Sequence, residues 1–324
     1  MDDLDAATSP DLEAAAASLQ ERGYATLPVL PRVQALHRDG FAAARAGLAV
    51  LASAPDGHPA MIVPGADSAH LTGMHRAGAL SSYNACREGF VFSDGGSIAL
   101  PEAAGFAPAM ATFFASALAV AHAVLAEIER RLQIPSGWFE ANFGPLGDNA
   151  QWHCKRYVAA GASPHAVTAD AKRVLLAVHS DPSLISVVLH DRPGTNAGAL
   201  GLECMRRGGG WDEVGGHGHG VATVLCGSVL QKVTGGAFPA ARHRVTMPDD
   251  ATAAAALDRV AATFFFRPAP DAVLAPPPGM PSKAGGAVTF GAWTQRVASR
   301  YGRHAEPAPL GGEAGAQEGA EPDG

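Results

Sequence analysis

The sequence predicts an α+β fold: a sheet sandwich or barrel in the second half of the chain, flanked by helices from the first half. Three observations carry this. Between Val174 and Phe266 short β-prone runs follow one another at close spacing, broken by glycine-rich turns, a pattern of sandwiches and barrels. Ala104 to Leu132 is a long apolar run with helical character. The chain opens with a helix, a strand and a helix in quick succession.

Taken in order, residues 1–9 have the composition of a loose end. Asp11 to Arg22 places Leu12, Ala15, Ala16 and Leu19 on one face of a helix, and Gly23 stops it. Tyr24 to Val29 reads as a strand, and Pro31 starts a helix that runs to about Leu51. Residues 52–100 lack periodicity and are rich in Gly, Pro and Ser, so a long loop region is expected. After the long helix, Pro135 to Phe143 is a short helical turn and Gln151 to Ala159 the first secure strand. Further strands are expected at Leu184–His190, Ala199–Met205, Val221–Leu225 and Ser228–Thr234. Thr289 to Arg303 has helical spacing, with Arg296, Arg300 and Arg303 late in it, where they suit the negative end of the helix dipole. Residues 305–324 are acidic and free of aromatics, which reads as disorder. The expected organisation is a disordered N-terminus over 1–10, a helix and strand region over 11–150 packed on the barrel, a core with its C-terminal helix over 151–304, and a disordered acidic tail over 305–324.

Composition narrows the functional classes. Net charge is −7 over 324 residues, but eight of the 31 acids sit in the two ends, with no base among them. The body then holds 23 acids against 24 bases, which argues against a nucleic-acid surface. The four cysteines are scattered, so neither a zinc knot nor a disulfide frame is expected, and reduced thiols point to the cytoplasm. The run Ala103 to Ala126 carries no charged side chain and has the length of a membrane span. Its alanine dominance, Pro108, His122 and the charged sequel Glu127, Glu129, Arg130 and Arg131 favour a buried helix instead, so no membrane is expected. No P-loop, nucleophile elbow or dinucleotide glycine fingerprint is present, and no repeat is visible.

One constellation carries chemistry. His179 and Asp181 lie two apart in the β-prone run VLLAVHSD, so strand alternation turns both to one face. His243 opens a second β-prone run. Two imidazoles and one carboxylate on one side of a metal leave its other positions open, the facial arrangement of non-haem Fe(II) oxygenases. Arg259, at the head of another apolar strand, is suited to a planar carboxylate. Together they suggest Fe(II) with a 2-oxo acid. His217 and His219, in GHGH, have flexible glycine flanks and read as a solvated turn, and His153, His165 and His190 have no partner at ligand spacing.

The pieces HSD, GALGLECMRRGGGWDEV, LCGSVLQKVTGG, ARHRV and RVA resemble, in this order, the isopenicillin N synthase-like branch of the Fe(II)/2-oxoglutarate oxygenases. Within it, LCGSVLQKVTGGAFPAARHRV with the later RVAATFFFRP looks most like the cephalosporin ring-expansion enzymes. The resemblance covers roughly residues 10–304 and is dense from about Gln151. It implies a double-stranded β-helix, a jelly-roll barrel with flanking helices and a long N-terminal helix packed on it. It implies His179, Asp181 and His243 as catalytic iron ligands, Arg259 on the far carboxylate of 2-oxoglutarate, and Tyr157 near that co-substrate. The family pattern Arg-x-Ser is here Arg259-Val260-Ala261, so the serine hydroxyl is absent, and Thr263 is the next residue of that face able to replace it. The segment SSYNACREGFVF sits where the family lines its substrate mouth, although Tyr83, Arg87 and Phe92 read equally well as surface-loop residues. Arg156 reads as a surface residue rather than a substrate contact. At least one of Phe264, Phe265 and Phe266 should enter the barrel.

The implied partners are a small-molecule substrate and O2, with ascorbate as a reductant and a monomeric chain. The implied products are succinate, CO2 and a hydroxylated, desaturated or ring-expanded substrate in secondary metabolism such as antibiotic biosynthesis. Asp181 argues against a halogenase, which needs the carboxylate position vacated. Two rivals stay open: an iron oxidase of this fold that takes no 2-oxo acid, and a catalytically silent barrel that binds a small molecule.

Overall fold

The computed structural model describes residues 6–62, 71–80, 86–93, 95–157, 172–191, 201–214, 218–248, 260–280 and 288–300. The chain begins with α1 (Ser9–Arg22), β1 (Tyr24–Pro28) and α2 (Pro31–Ser53), then the strands β2 (Gly73–His75) and β3 (Arg87–Ser93). The long helix α3 (Phe106–Leu132) and the short α4 (Trp138–Phe143) lead to β4 (Gln151–Tyr157), β5 (Lys172–His179), β6 (Ile185–His190), β7 (Gly201–Met205) and β8 (Trp211–Glu213). A 3-10 turn at Gly218–Gly220 precedes β9 (Val221–Cys226), α5 (Ser228–Val233), β10 (His243–Pro248), β11 (Val260–Phe266) and α6 (Phe290–Arg300).

Two antiparallel sheets result. The larger runs β1-β9-β6-β11-β4-β3-β2 and the smaller β5-β10-β7-β8. This is the double-stranded β-helix arrangement expected from the sequence. Strand alternation gives the larger sheet two different faces. Trp152, Cys154, Val187, Leu189, Val224, Phe264 and Phe266 point to α2 and α3 and join the main core. Trp152 stacks on Phe92 with ring centroids 3.9 Å apart and on Phe264 at 5.0 Å, while Phe113 of α3 meets Phe264 edge-on at 5.4 Å. A second, smaller cluster lies between the sheets and includes Tyr157, Leu175, Val188, Leu202, Cys204, Leu225 and Val245. Of Phe264, Phe265 and Phe266, at least one of which is expected to enter the barrel, Phe265 is on this inner face, edge-on to His153 at 5.5 Å.

Helix α3 is long and apolar enough to cross a membrane by length and composition. Its buried side, which includes Phe113, Ala117, Val120 and Val124, instead packs on α2 and the larger sheet. All four cysteines are free and buried.

Three expectations change. Ser228–Val233 is helical, not a strand, because Val229, Leu230 and Val233 recur at helical spacing and all three are buried. The loop region of residues 52–100 contains β2 and β3, and β3 pairs along its whole length with β4. Its signal is hidden by Gly89, which interrupts the alternation of β3. Ala6 and Ala7, expected in a loose end, are buried, and the Ala6 carbonyl accepts from the Leu30 amide at 3.0 Å. Residues 1–5 and 301–324, the latter containing the expected acidic tail, lie outside the described residues.

Candidate metal centre

β5 ends on His179 and β10 begins on His243, and the two are directly paired in the antiparallel ladder. Cross-strand neighbours on one face stand side by side, and here the imidazole centroids are 4.2 Å apart. Each ring is oriented by its own strand. His179 Nδ1 lies 2.8 Å from the Ala177 carbonyl oxygen and His243 Nδ1 3.0 Å from that of Ala241. A carbonyl only accepts, so each Nδ1 carries a proton and each Nε2 is the ring atom left to face a metal.

Both Nε2 atoms converge on Asp181. Its Oδ1 is 3.6 Å from His179 Nε2 and 3.7 Å from His243 Nε2. Its other oxygen, Oδ2, accepts from the Ser186 hydroxyl at 2.7 Å, and Ser186 is 3.0 Å from Ser183 Oγ. The backbone is pinned as well: the Asp181 carbonyl accepts from the Ser228 amide at 2.8 Å and the Ser228 hydroxyl at 2.9 Å. Gly227 makes this turn possible, since a Cβ there would fall 1.9 Å from the Ser183 carbonyl oxygen. Burial by itself would raise the Asp181 pKa, but His243, His179, the Ser186 hydrogen bond and Lys155 outweigh it and hold the carboxyl below its ordinary value.

The donor atoms of His179, Asp181 and His243 all lie within 4.8 Å of one another. Two imidazole nitrogens, one carboxylate oxygen and an oriented surround suit a non-haem Fe(II) ion with open positions. Among the described residues this is the one such cluster.

The other expected site residues are placed as follows. Tyr157 is buried at the end of β4, inside the barrel cluster, opposite Arg87 of β3. Thr263 is nearly buried on β11, opposite His153 and Val188, two residues along from Ala261 on the same face. Arg259 lies outside the described residues, as do Tyr83, His165 and His217. Arg156, read as a surface residue, is part-exposed and donates from Nε to Glu88 Oε1 at 3.1 Å. His219, expected in a solvated turn, is half-buried with its ring 5.6 Å from Phe41, because the 3-10 turn packs under α2. Arg87 and Phe92 are not surface-loop residues: both are buried, Arg87 at the barrel wall and Phe92 in the outer core.

The sequence alone does not single out Ser186, whose hydroxyl is ordinary in sequence and acts only because β6 turns back beneath Asp181. Nor does it single out Lys155 and His75 on the inner wall. Alternation along QWHCKRY, which puts Lys155 on the Tyr157 face, is a usable signal for the first of these two.

Residues 155–268 match the sequence profile of the 2OG-Fe(II) oxygenase superfamily. That segment contains the whole triad, so over these residues the chain matches an enzyme family whose cofactors are Fe(II) and 2-oxoglutarate. No curated protein sequence matches this chain. Among solved structures, a full-length Neurospora crassa protein in complex with alpha-KG and 5-formyluracil superposes with a TM-score of 0.67, at 16% identity, over 89% of each chain. The rice dioxygenase for auxin oxidation superposes with a TM-score of 0.64, at 18% identity, over 90% of each chain. At these identities both likenesses concern the fold.

Proposed function

We propose that this chain oxidises a C–H bond of a small-molecule substrate with O2 and 2-oxoglutarate, releasing succinate and CO2. The observation that carries the reading is the convergence of His179, Asp181 and His243, with both Nδ1 atoms tied back and Asp181 Oδ1 left facing the imidazoles. These three residues hold Fe(II). When bound, iron and the 2-oxo acid together supply the oxidant. The protein supplies placement: Ser186 and Ser228 fix Asp181, and the strand carbonyls fix both imidazoles. The side chains of the triad are nearly buried, and Leu175, Val188, Leu202 and Val245 help to keep the barrel interior dry. Arg259 is assigned the far carboxylate of the co-substrate, and Tyr157 and Thr263 are assigned supporting contacts to it.

A small substrate is supported by the kind of ligand the neighbours take, alpha-KG with thymine in the Neurospora crassa protein and auxin in the rice enzyme. The finer reading follows the sequence resemblance to deacetoxycephalosporin C synthase. On it the substrate is a secondary metabolite, as in antibiotic biosynthesis, and is hydroxylated, desaturated or ring-expanded. The chain works as a cytoplasmic monomer, with ascorbate keeping the iron reduced.

The test is anaerobic Fe(II) titration of the natural chain and of His179→Ala, Asp181→Ala and His243→Ala, followed by succinate release from 2-oxoglutarate in air. Each substitution should abolish iron retention; retention with turnover in any of them refutes the triad. Iron binding without 2-oxoglutarate turnover would favour the oxidase that needs no 2-oxo acid.

A further inference from the structure

The inner wall of the larger sheet carries a buried base that the reading above leaves unused. Lys155 is 4% exposed. Among the described residues it makes no hydrogen bond and no ion pair. It lies in one row across the sheet, where the ladders align His75, Gly89, Lys155, Ala261 and His190. Its two cross-strand neighbours therefore have almost no side chain. Gly89, at φ 143°, has no room for more, since a Cβ there would meet the Cys154 carbonyl oxygen at 2.2 Å. Lys155 therefore stands between a glycine and an alanine, with the Arg87–Tyr157 pair in the next row of the wall.

A ligand anion beside Lys155 would favour its charged form over the neutral amine. Burial pushes the Lys155 pKa well below its ordinary value, and Arg87 adds repulsion of the same sign. Among the described residues Asp181 is the carboxylate that opposes these two effects. That group is taken up by the two imidazoles and Ser186. A buried ammonium without its own counter-ion is costly, and a ligand carboxylate removes that cost. Alternation along β4 places Lys155 on the face of Tyr157, which is turned to the smaller sheet that carries His179 and His243.

We propose that Lys155 binds a carboxylate of the 2-oxo acid, supplying from β4 the donor that Ala261 lacks on β11. The inference rests on the co-substrate reading above. Lys155 is a binding residue on this account, and a neutral side chain of similar volume leaves the fold intact.

Calorimetric titration of the Mn(II)-loaded full chain without O2 tests it, using 2-oxoglutarate and 2-oxopentanoate, which lacks the far carboxylate. Lys155→Met should weaken 2-oxoglutarate binding roughly 10- to 100-fold, the range of a charge-assisted hydrogen bond. It should melt no lower than the natural chain, because a buried amine without a hydrogen-bond partner has been removed. Lys155→Gln is run beside it, so that a folding defect in one variant does not decide the result. Equal weakening of both acids assigns Lys155 to the carboxylate they share, and weakening of 2-oxoglutarate alone to the far one. If either folded variant binds 2-oxoglutarate as tightly as the natural chain, the proposal is overturned. If the natural chain itself binds none, the co-substrate reading has failed first.

Discussion

Ser186→Ala isolates what lies behind the metal ligands. The hydroxyl donates to Asp181 Oδ2 at 2.7 Å in a buried setting, so water does not replace it at once. A hydrogen bond to a charged acceptor contributes about 1.5–3 kcal/mol, and the apo and metal-bound proteins both hold Asp181 as a carboxylate, so only part of that reaches metal affinity. The larger effect is orientational. Without the hydroxyl, Oδ2 competes with Oδ1 for the metal and the carboxylate is free to rotate. Loss of such a partner typically lowers metal affinity ~10- to 100-fold. Anaerobic competition for Fe(II) against a chromogenic chelator measures it. Ser183→Ala, one hydrogen bond further out, should have a smaller effect. Unchanged affinity in Ser186→Ala would refute the idea that this hydroxyl positions the ligand.

Gly227→Ala drives a methyl group to within 1.9 Å of the Ser183 carbonyl oxygen, so the turn that holds the Asp181 carbonyl must shift; an overpacking penalty of about 1–3 kcal/mol and weaker metal binding should appear in melting and chelator assays, and an unaltered variant would remove the turn from the account. Burial pushes His37 and His75 down to about 4. Their folded pKa values lie below the unfolded one, so stability is full above about pH 6.5 and is lost as pH falls through about 4, by up to roughly 3 kcal/mol each. A pH series of melting temperatures should show this fall, and His37→Gln should flatten it; a flat natural profile contradicts it. Arg259→Ala should raise the KM for 2-oxoglutarate far more than that for the oxidised substrate, and equal effects would refute its role.

The triad is legible in sequence because its signal is local. An alternating strand puts His179 and Asp181 on one face, and His243 opens a strand of the same kind. Helix boundaries near Arg22, Pro31 and Leu132 are legible for similar reasons, since glycine, proline and charge mark them. The helix at Ser228–Val233 reads as a strand because six residues are too few to separate the two periods when most are apolar. Strand β3 escapes a sequence reading because its partner β4 lies beyond two helices along the chain and Gly89 breaks its pattern. Ser186 cannot be read at all: which hydroxyl reaches Asp181 depends on how β6 returns under β5, a tertiary fact. Lys155 is legible in alternation, but its lack of a counter-ion shows only once the neighbouring strands are in place.

The larger sheet separates two duties by face. Cohesion comes from the side where Trp152, Phe113 and Phe264 pack against one another and the helices. The inward side can therefore exchange residues such as Val188 or His153 without loosening the aromatic stack. A library confined to those inward positions should yield mostly folded proteins that differ in what they accept, so the architecture lends itself to redirecting its chemistry.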